Sequence, residues 1–327
     1  MRLSVPNACA VALLAASMGG DVFADDLRIG IIGCDTSHAV AFAENLNNPA
    51  AKGHVAGGKV VAAVKGGSPD IASSWSRVGE YSQKLSETLG VKFYDTVEEL
   101  CRNVDVVLLE SVDGRPHLQQ LRPVLQAHKP VFIDKPAAGS LADVIEMFRL
   151  IKEAGVPAFS SSALRFAADT QKVHGGSIGK IRQVETYGPC EIEPHHPDLF
   201  WYGVHGTESL FTVMGRGCEK VRRTTTPDGK IEVIGTWNDG RVGTMREDGK
   251  FHGIAHGEKG DAAAGSFDGY VPLVVEIMKF FKTGVAPVSP EETIEIFAFM
   301  EAADESKRQN GAEVSISEII RKNSAAK

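Results

Sequence analysis

Between residues 27 and 161 short, β-branched apolar runs alternate with stretches of helical spacing, and this alternation constrains the fold more than any other feature of the chain. The runs are Leu27 to Ile32, Lys59 to Val64, Val91 to Tyr94, Val104 to Leu109, Pro130 to Ile133 and Ala158 to Ser161. Each has the length of a buried strand and is too short for a core helix. Ala39 to Leu46, Val97 to Cys101, His117 to Ala127 and Leu141 to Glu153 carry apolar residues three and four apart. Strands joined through helices run parallel, so the spacing predicts a doubly wound α/β Rossmann domain over residues 25–160.

Beyond residue 165 the punctuation changes. Ile181 to Tyr187, Lys230 to Trp237, Arg241 to Arg246 and Phe251 to Gly257 read as strands, with Asn238-Asp239-Gly240 and Glu247-Asp248-Gly249 as hairpin turns. Helices are expected at Thr207 to Met214, Tyr270 to Thr283 and Pro290 to Gln309, the last opened by the capping sequence Ser289-Pro290-Glu291-Glu292. Residues 161–327 therefore form an α+β domain with a mostly antiparallel sheet. An uncovered apolar sheet face needs another element or subunit against it, so a homo-oligomer is expected.

The first 24 residues have another character: Arg2, an apolar stretch from Ala8 to Met18, then Val22-Phe23-Ala24. This is the pattern of a secretory signal peptide cleaved after Ala24, which predicts a periplasmic or secreted protein. The apolar stretch is too short for a stable membrane span. A formal net charge of −7 without a Lys/Arg-rich run gives no footprint for nucleic acid or an anionic membrane, and points to a neutral, carbohydrate-like small molecule as partner. The cysteines left after cleavage, Cys34, Cys101, Cys190 and Cys218, form no CxxC pair and read as small buried hydrophobes. His195-His196-Pro197-Asp198 lacks further ligands at suitable spacing, so no metal is expected.

Three motifs fall in order along the chain. Ile29-Gly30-Ile31-Ile32-Gly33 ends the first strand, Asp134-Lys135-Pro136 ends the fifth, and Tyr202-Gly203-Val204-His205 opens a helix in the second half. Together they resemble the glucose-fructose oxidoreductase, inositol dehydrogenase and rhizopine-catabolism family, Gfo/Idh/MocA. The resemblance implies that Lys135 projects into an active site, where an ammonium steadies negative charge developing on a carbinol oxygen. It implies that His205 is the general base, as suits an imidazole with an ordinary pKa of about 6.5. The acid that the family pattern places two residues before Gly203 is Trp201, and Glu208, three residues beyond His205, is the candidate to orient the imidazole.

The dinucleotide fingerprint departs further. Gly33-Cys34-Asp35-Thr36-Ser37-His38 keeps only the first of three glycines, and Asp35 sets a carboxylate where the backbone usually approaches a pyrophosphate. Asp35, Thr36 or Ser37 equally suits the helix N-cap. Gly33, Asp35, Thr36, Ser37, His38, Ser111, Asp134 and Lys135 are the expected cofactor contacts. Lys65, with Ser68 nearby, replaces the usual ribose acid, which makes NADP at least as fitting as NAD. His117, Arg165 and Trp201 are expected at the substrate, and Glu110 and Asp113 also sit at strand ends. Two readings stand: an NAD(P)-dependent oxidoreductase acting on a sugar or polyol hydroxyl, and a cofactor-independent carbohydrate-binding protein or sugar lyase or hydrolase on the same scaffold.

Overall fold

The computed structural model describes residues 26–325, so the signal segment expected at 1–24 lies outside the described residues. The first half opens with β1 (Leu27–Ile32), α1 (Ser37–Asn47), β2 (Gly58–Val64), α2 (Ala72–Gln83) and β3 (Lys92–Phe93). It continues through α3 (Val97–Cys101), β4 (Val106–Leu109), α4 (His117–Gln126), β5 (Val131–Ile133), α5 (Leu141–Ala154) and β6 (Ala158–Ser160). These six strands form one parallel sheet in the order β3-β2-β1-β4-β5-β6. The expected Rossmann architecture is present. Its strand order reverses between β1 and β4, which is where open α/β sheets bind ligands.

The second half contains a 3-10 turn at Ala163–Phe166, then α6 (Ala168–His174), β7 (Ile181–Gly188), α7 (Val204–Met214), β8 (Cys218–Thr225), β9 (Ile231–Trp237) and β10 (Val242–Glu247). It ends with β11 (His252–Gly257), β12 (Gly260–Ala263), α8 (Val271–Thr283), α9 (Pro290–Arg308), β13 (Val314–Ser315) and α10 (Ile316–Ser324). The sheet runs β12-β11-β7-β10-β9-β8-β13 and is antiparallel except between β7 and β10. The Asn238–Gly240 turn does join neighbours, β9 and β10. Glu247-Asp248-Gly249 does not make the hairpin its composition suggests: β7 lies between β10 and β11. The Asp248 N–H bonds to the Gly188 carbonyl at 2.8 Å, hooking the connection over the end of β7.

Sequence pattern and packing agree in the sheet interiors. On β7 the buried positions are Val184, Thr186 and Gly188, alternating with half-buried Gln183, Glu185 and Tyr187. The inner face lies against α7 and α9. On the other face Arg246 bonds Glu232 at 2.5 Å and also reaches Glu185 and the Tyr187 hydroxyl, so this face is laced with polar groups. All four described cysteines are free and buried.

Both hydrophobic cores cross the boundary between the halves. Leu273, Val274, Ile277 and Phe280 of α8 join Ile29, Ile31, Phe42, Phe132 and Phe159 on one side of the parallel sheet. On the other side, residues of α5 share a core with Ile296, Phe297, Phe299 and Met300 of α9 and Ile316 and Ile319 of α10. Neither half buries its apolar surface alone. Ile277→Ala, at a site 1% exposed, is expected to cost about 2–5 kcal/mol and to lower a single unfolding transition reported alike by both halves. Denaturant melts followed by near-ultraviolet and far-ultraviolet circular dichroism check this, and two separated transitions would contradict it.

Candidate active site

A cavity of about 370 Å³ opens where the carboxyl ends of the parallel strands face the second half. Thr36, Ser37 and His38 at the start of α1, Val112 after β4 and Lys135 after β5 form one wall. Trp201, Tyr202, His205, Phe251, Phe267 and Tyr270 contribute much of the opposite side. Arg77 and Glu191, both exposed, stand at its edge.

Gly33 makes the turn into α1 possible. It has φ 93° and lies so close to Ser111 that a Cβ would come within 2.3 Å of the Ser111 nitrogen. Only glycine adopts this conformation at such an approach without strain. Thr36 is the N-cap, its Oγ1 accepting from the His38 N–H at 3.3 Å. Asp35 points away from the cavity lining: it accepts from Ser74 Oγ at 2.6 Å and from the Val112 N–H at 3.1 Å, and burial raises its pKa.

Lys135 is 9% exposed and lines the cavity, its Nζ 5.5 Å from the centre of the Tyr202 ring. Among the described residues no carboxylate lies within ion-pair distance of that Nζ, although the charges of Asp134 and Glu110 are felt there. Burial lowers its pKa against their opposing pull. Asp134 instead meets His38, with Oδ2 2.6 Å from Nδ1. Burial disfavours the Asp134 charge, but His38 and then Lys135 outweigh it and hold the carboxyl low. Behind it Glu110 is wholly buried and, among the described residues, has no donor on either oxygen; burial and the neighbouring Asp134 charge raise its pKa well above the ordinary value.

His205 lines the cavity from the first turn of α7, a helix buried at every position. Its Nδ1 lies 2.7 Å from Ser162 Oγ, and burial followed by the charge of Lys135 pushes its pKa well below the ordinary value. The expected orienting group, Glu208, is engaged elsewhere. Its Oε1 accepts from Ser161 Oγ at 2.9 Å and from Arg165 Nε at 2.5 Å. Arg165 also reaches Glu292 at 2.6 Å, and the two carboxylates keep its pKa raised despite burial. Arg165 therefore ties the 163–166 turn to α7 and α9 and is absent from the cavity lining. His117 is also outside it, fully buried with its ring nitrogens 3.0 Å from the Ala137 carbonyl and 2.9 Å from the Ser111 carbonyl. Trp201 does line the cavity, its ring 5.1 Å from that of His196.

Sequence reasoning overlooked Ser162, Tyr202 and the pairing of His38 with Asp134. The Ser160-Ser161-Ser162 run closes β6 and leaves it at the ligand-binding edge of the sheet, and that position was the available signal.

Residues 27–161 match the family model described as "Oxidoreductase family, NAD-binding Rossmann fold", Gfo/Idh/MocA. The Rossmann half is similar to the Gfo/Idh/MocA family. An uncharacterized oxidoreductase of Escherichia coli, YhhX, is 25% identical over 162 residues, covering 44% of this chain and 47% of that one. The 1,5-anhydro-D-fructose reductase of Ensifer adhaerens is 28% identical over 142 residues, covering 42% and 43%. The matched stretch thus spans less than half of either curated relative. Scyllo-inositol dehydrogenase from Lactobacillus casei, solved with bound NAD(H) and scyllo-inositol, superposes with a TM-score of 0.71 at 14% identity, covering 90% of this chain and all of that one. Myo-inositol 2-dehydrogenase from Lactobacillus plantarum gives 0.71 at 16% identity, covering 89% and 99%. These last two likenesses speak to the fold.

The Gfo/Idh/MocA frame is an NAD-binding one, and the residues here meet such a dinucleotide unevenly. At the inner end, the start of α1, Lys135 and the aromatic wall surround space for one ring system and a small ligand. At the outer end the chain closes on itself. Ser68 Oγ donates to Asp113 at 2.5 Å, the Ser68 N–H bonds Ser74 Oγ at 2.8 Å, and Arg115 bridges Asp113 and Asp70 at 2.8 Å each. A Cβ on Gly66 would sit 3.0 Å from the Gly33 Cα, so the β2–α2 loop lies directly over the glycine turn. Lys65 is exposed and outside the cavity lining. A dinucleotide lying full length along this edge requires the clasp between the β2–α2 and β4–α4 loops to open.

The site also couples to stability. His205 and His117 have pKa values lowered by burial, so below about pH 6.5 the unfolded chain binds more protons than the folded one. Their contribution is complete above that pH and is lost as pH falls. His205→Gln is expected to flatten the loss by up to about 1.4 kcal/mol per pH unit. Urea denaturation at a series of pH values below neutrality measures the slope, and an unchanged slope would contradict a neutral, buried His205.

Proposed function

We propose that the chain is an NAD(P)-dependent oxidoreductase acting on a hydroxyl of a small, sugar- or polyol-like molecule held between its two halves. The observation that carries this reading is the convergence of Lys135 and His205 on one cavity at the carboxyl edge of a Gfo/Idh/MocA Rossmann sheet. The nicotinamide, when bound, takes up or gives back the hydride. Lys135 brings an ammonium without a carboxylate partner to the cavity, where it lowers the cost of negative charge on the reacting oxygen. His205, neutral by virtue of its burial, hydrogen-bonds a ligand oxygen. Tyr202, Phe251 and Tyr270 offer aromatic faces to the carbon-bound hydrogens of a ring and exclude water from one side of it.

The clasp over the outer groove favours a second reading, a cofactor-independent carbohydrate-binding protein or sugar lyase or hydrolase. Export of the mature chain and assembly into a homo-oligomer belong to the same proposal, the export supported by the N-terminal pattern; N-terminal sequencing and sedimentation test them.

Purified protein is expected to reduce NAD+ or NADP+ with at least one member of a panel of inositols and aldoses. Lys135→Ala and His205→Ala should each lower turnover by about 10²- to 10⁴-fold while leaving the unfolding temperature close to that of the parent. Arg115→Ala, which releases Asp70 and Asp113, should tighten the binding of NADP+ measured by calorimetry. Conversion of a sugar with no nicotinamide present, abolished in His205→Ala, would replace the redox reading with the lyase or hydrolase one.

A further inference from the structure

We propose that His38, positioned by Asp134, is the group in this cavity that accepts a proton from a ligand hydroxyl, and that His205 serves as a hydrogen-bond donor to the ligand. The proposal rests on the reading above for the choice of ligand and not for the assignment of the two rings.

The argument begins with which ring nitrogens are already committed. His38 Nδ1 faces Asp134 Oδ2 at 2.6 Å, and an ionised carboxylate can only accept. Nδ1 therefore carries the hydrogen, and Nε2 is left with a bare lone pair. The same logic gives His205 the opposite tautomer. Ser162 Oγ, 1% exposed, already accepts from the Leu164 N–H at 3.2 Å. The acceptor within reach of its own hydrogen is His205 Nδ1 at 2.7 Å. If Nδ1 were protonated instead, the Ser162 hydroxyl hydrogen would be buried without an acceptor, at a cost of about 1–3 kcal/mol. Nε2 of His205 therefore carries the hydrogen. Both residues line the cavity, one as acceptor and one as donor.

The surroundings favour this division. A proton moving to His38 Nε2 creates an imidazolium whose other nitrogen already bonds Asp134, so the new charge is compensated where it forms. A proton moving to His205 would place a charge in a buried ring that feels the Lys135 ammonium, with a hydroxyl and no carboxylate as its partner. The ring of His38 packs in a cluster with those of Phe42, at 5.6 Å between centres, and Tyr270, at 4.6 Å. Behind Asp134, burial and the Asp134 charge raise the pKa of Glu110, which lessens the repulsion between the two carboxyl groups. The step is a simple proton transfer: the ligand O–H bond breaks, its electron pair stays on oxygen, and the proton bonds to Nε2. His38, Glu110 and Asp134 also lie close enough together to hold a cation, their ligand atoms being within 4.8 Å of one another. Lys135 beside both carboxylates, and the direct 2.6 Å contact between His38 and Asp134, favour protons over a metal ion.

Nitrogen-15 spectra of histidine-labelled protein, assigned with His38→Gln and His205→Gln, test the tautomers. The expected result at neutral pH is a protonated Nδ1 and bare Nε2 on His38, and the reverse on His205. Asp134→Asn should disturb the His38 tautomer and leave that of His205 unchanged. A protonated Nε2 on neutral His38, or a bare Nε2 on His205, would overturn the assignment. With the inositol or aldose and the cofactor that the wild type uses, His38→Ala should lower turnover at least about 100-fold and recover part of it in added imidazole. Full turnover by folded His38→Ala would also overturn it, as would stoichiometric divalent metal in purified protein that is lost in Glu110→Gln. If the wild type converts none of these pairs, the oxidoreductase reading fails, and the nitrogen spectra alone decide the roles of His38 and His205.

Discussion

A parallel sheet must bury both of its faces, and in this chain that requirement governs everything else. The first half supplies helices to each face but does not finish either. Helix α8 completes one core and helices α9 and α10 complete the other, all three drawn from the end of the chain. The second sheet is carried along by α7 and α9, which pack on its inner face. The carboxyl edge of the Rossmann sheet is thereby fixed against the start of α7. A cavity whose walls come from residues near 36, 135, 202 and 270 keeps its shape because the cores beneath it are shared.

Against that background the departures from the Gfo/Idh/MocA motifs do not look like decay. Asp35, in place of the second fingerprint glycine, joins Ser74 to the backbone after β4. His38, in place of the third, meets Asp134, the shorter acid of the lysine motif. Trp201, where the family pattern has an acid, lies against His196, which in turn has Asp113 3.0 Å away. Each replacement has a specific partner, and one of those partners, Asp134, is itself a departure.

The parts of the fold legible in the sequence were those whose burial is continuous. β4 and β5 are apolar along their length, and β1 from Ile29 to Ile32, because both faces are covered there, and such runs admit few other readings. Helix α2 escaped notice because Ser74 and Ser82 are its buried residues, so no apolar stripe marks it. β8 was hidden by its charges, Cys-Glu-Lys-Val-Arg-Arg over its first six positions, with Arg223 buried among Asp198 and Asp304. Turn chemistry at residues 247–249 located a reversal but carried no information about β7 entering between the strands it joins. In the site, Lys135 and His205 could be found because local motifs surround them. The partnership of His38 and Asp134 spans 96 residues and leaves no local trace. Glu208 was misplaced by helix geometry: sharing a face with His205 means little on a helix buried all round, where each residue answers to a different neighbour.

The shared cores bear on the history of such a chain as well as on its stability. A nucleotide-binding module that finished its own packing could be cut out and joined to new partners, each bringing a different substrate surface. Here the closing helices come from the far end of the polypeptide, so a crossover near residue 160 would leave both faces of the parallel sheet incompletely covered. Lineages built this way diversify by changing residues in place and by altering loops, with both halves inherited together. The cavity shared by His38 and His205 draws one ring from each half, so neither half carries the site without the other.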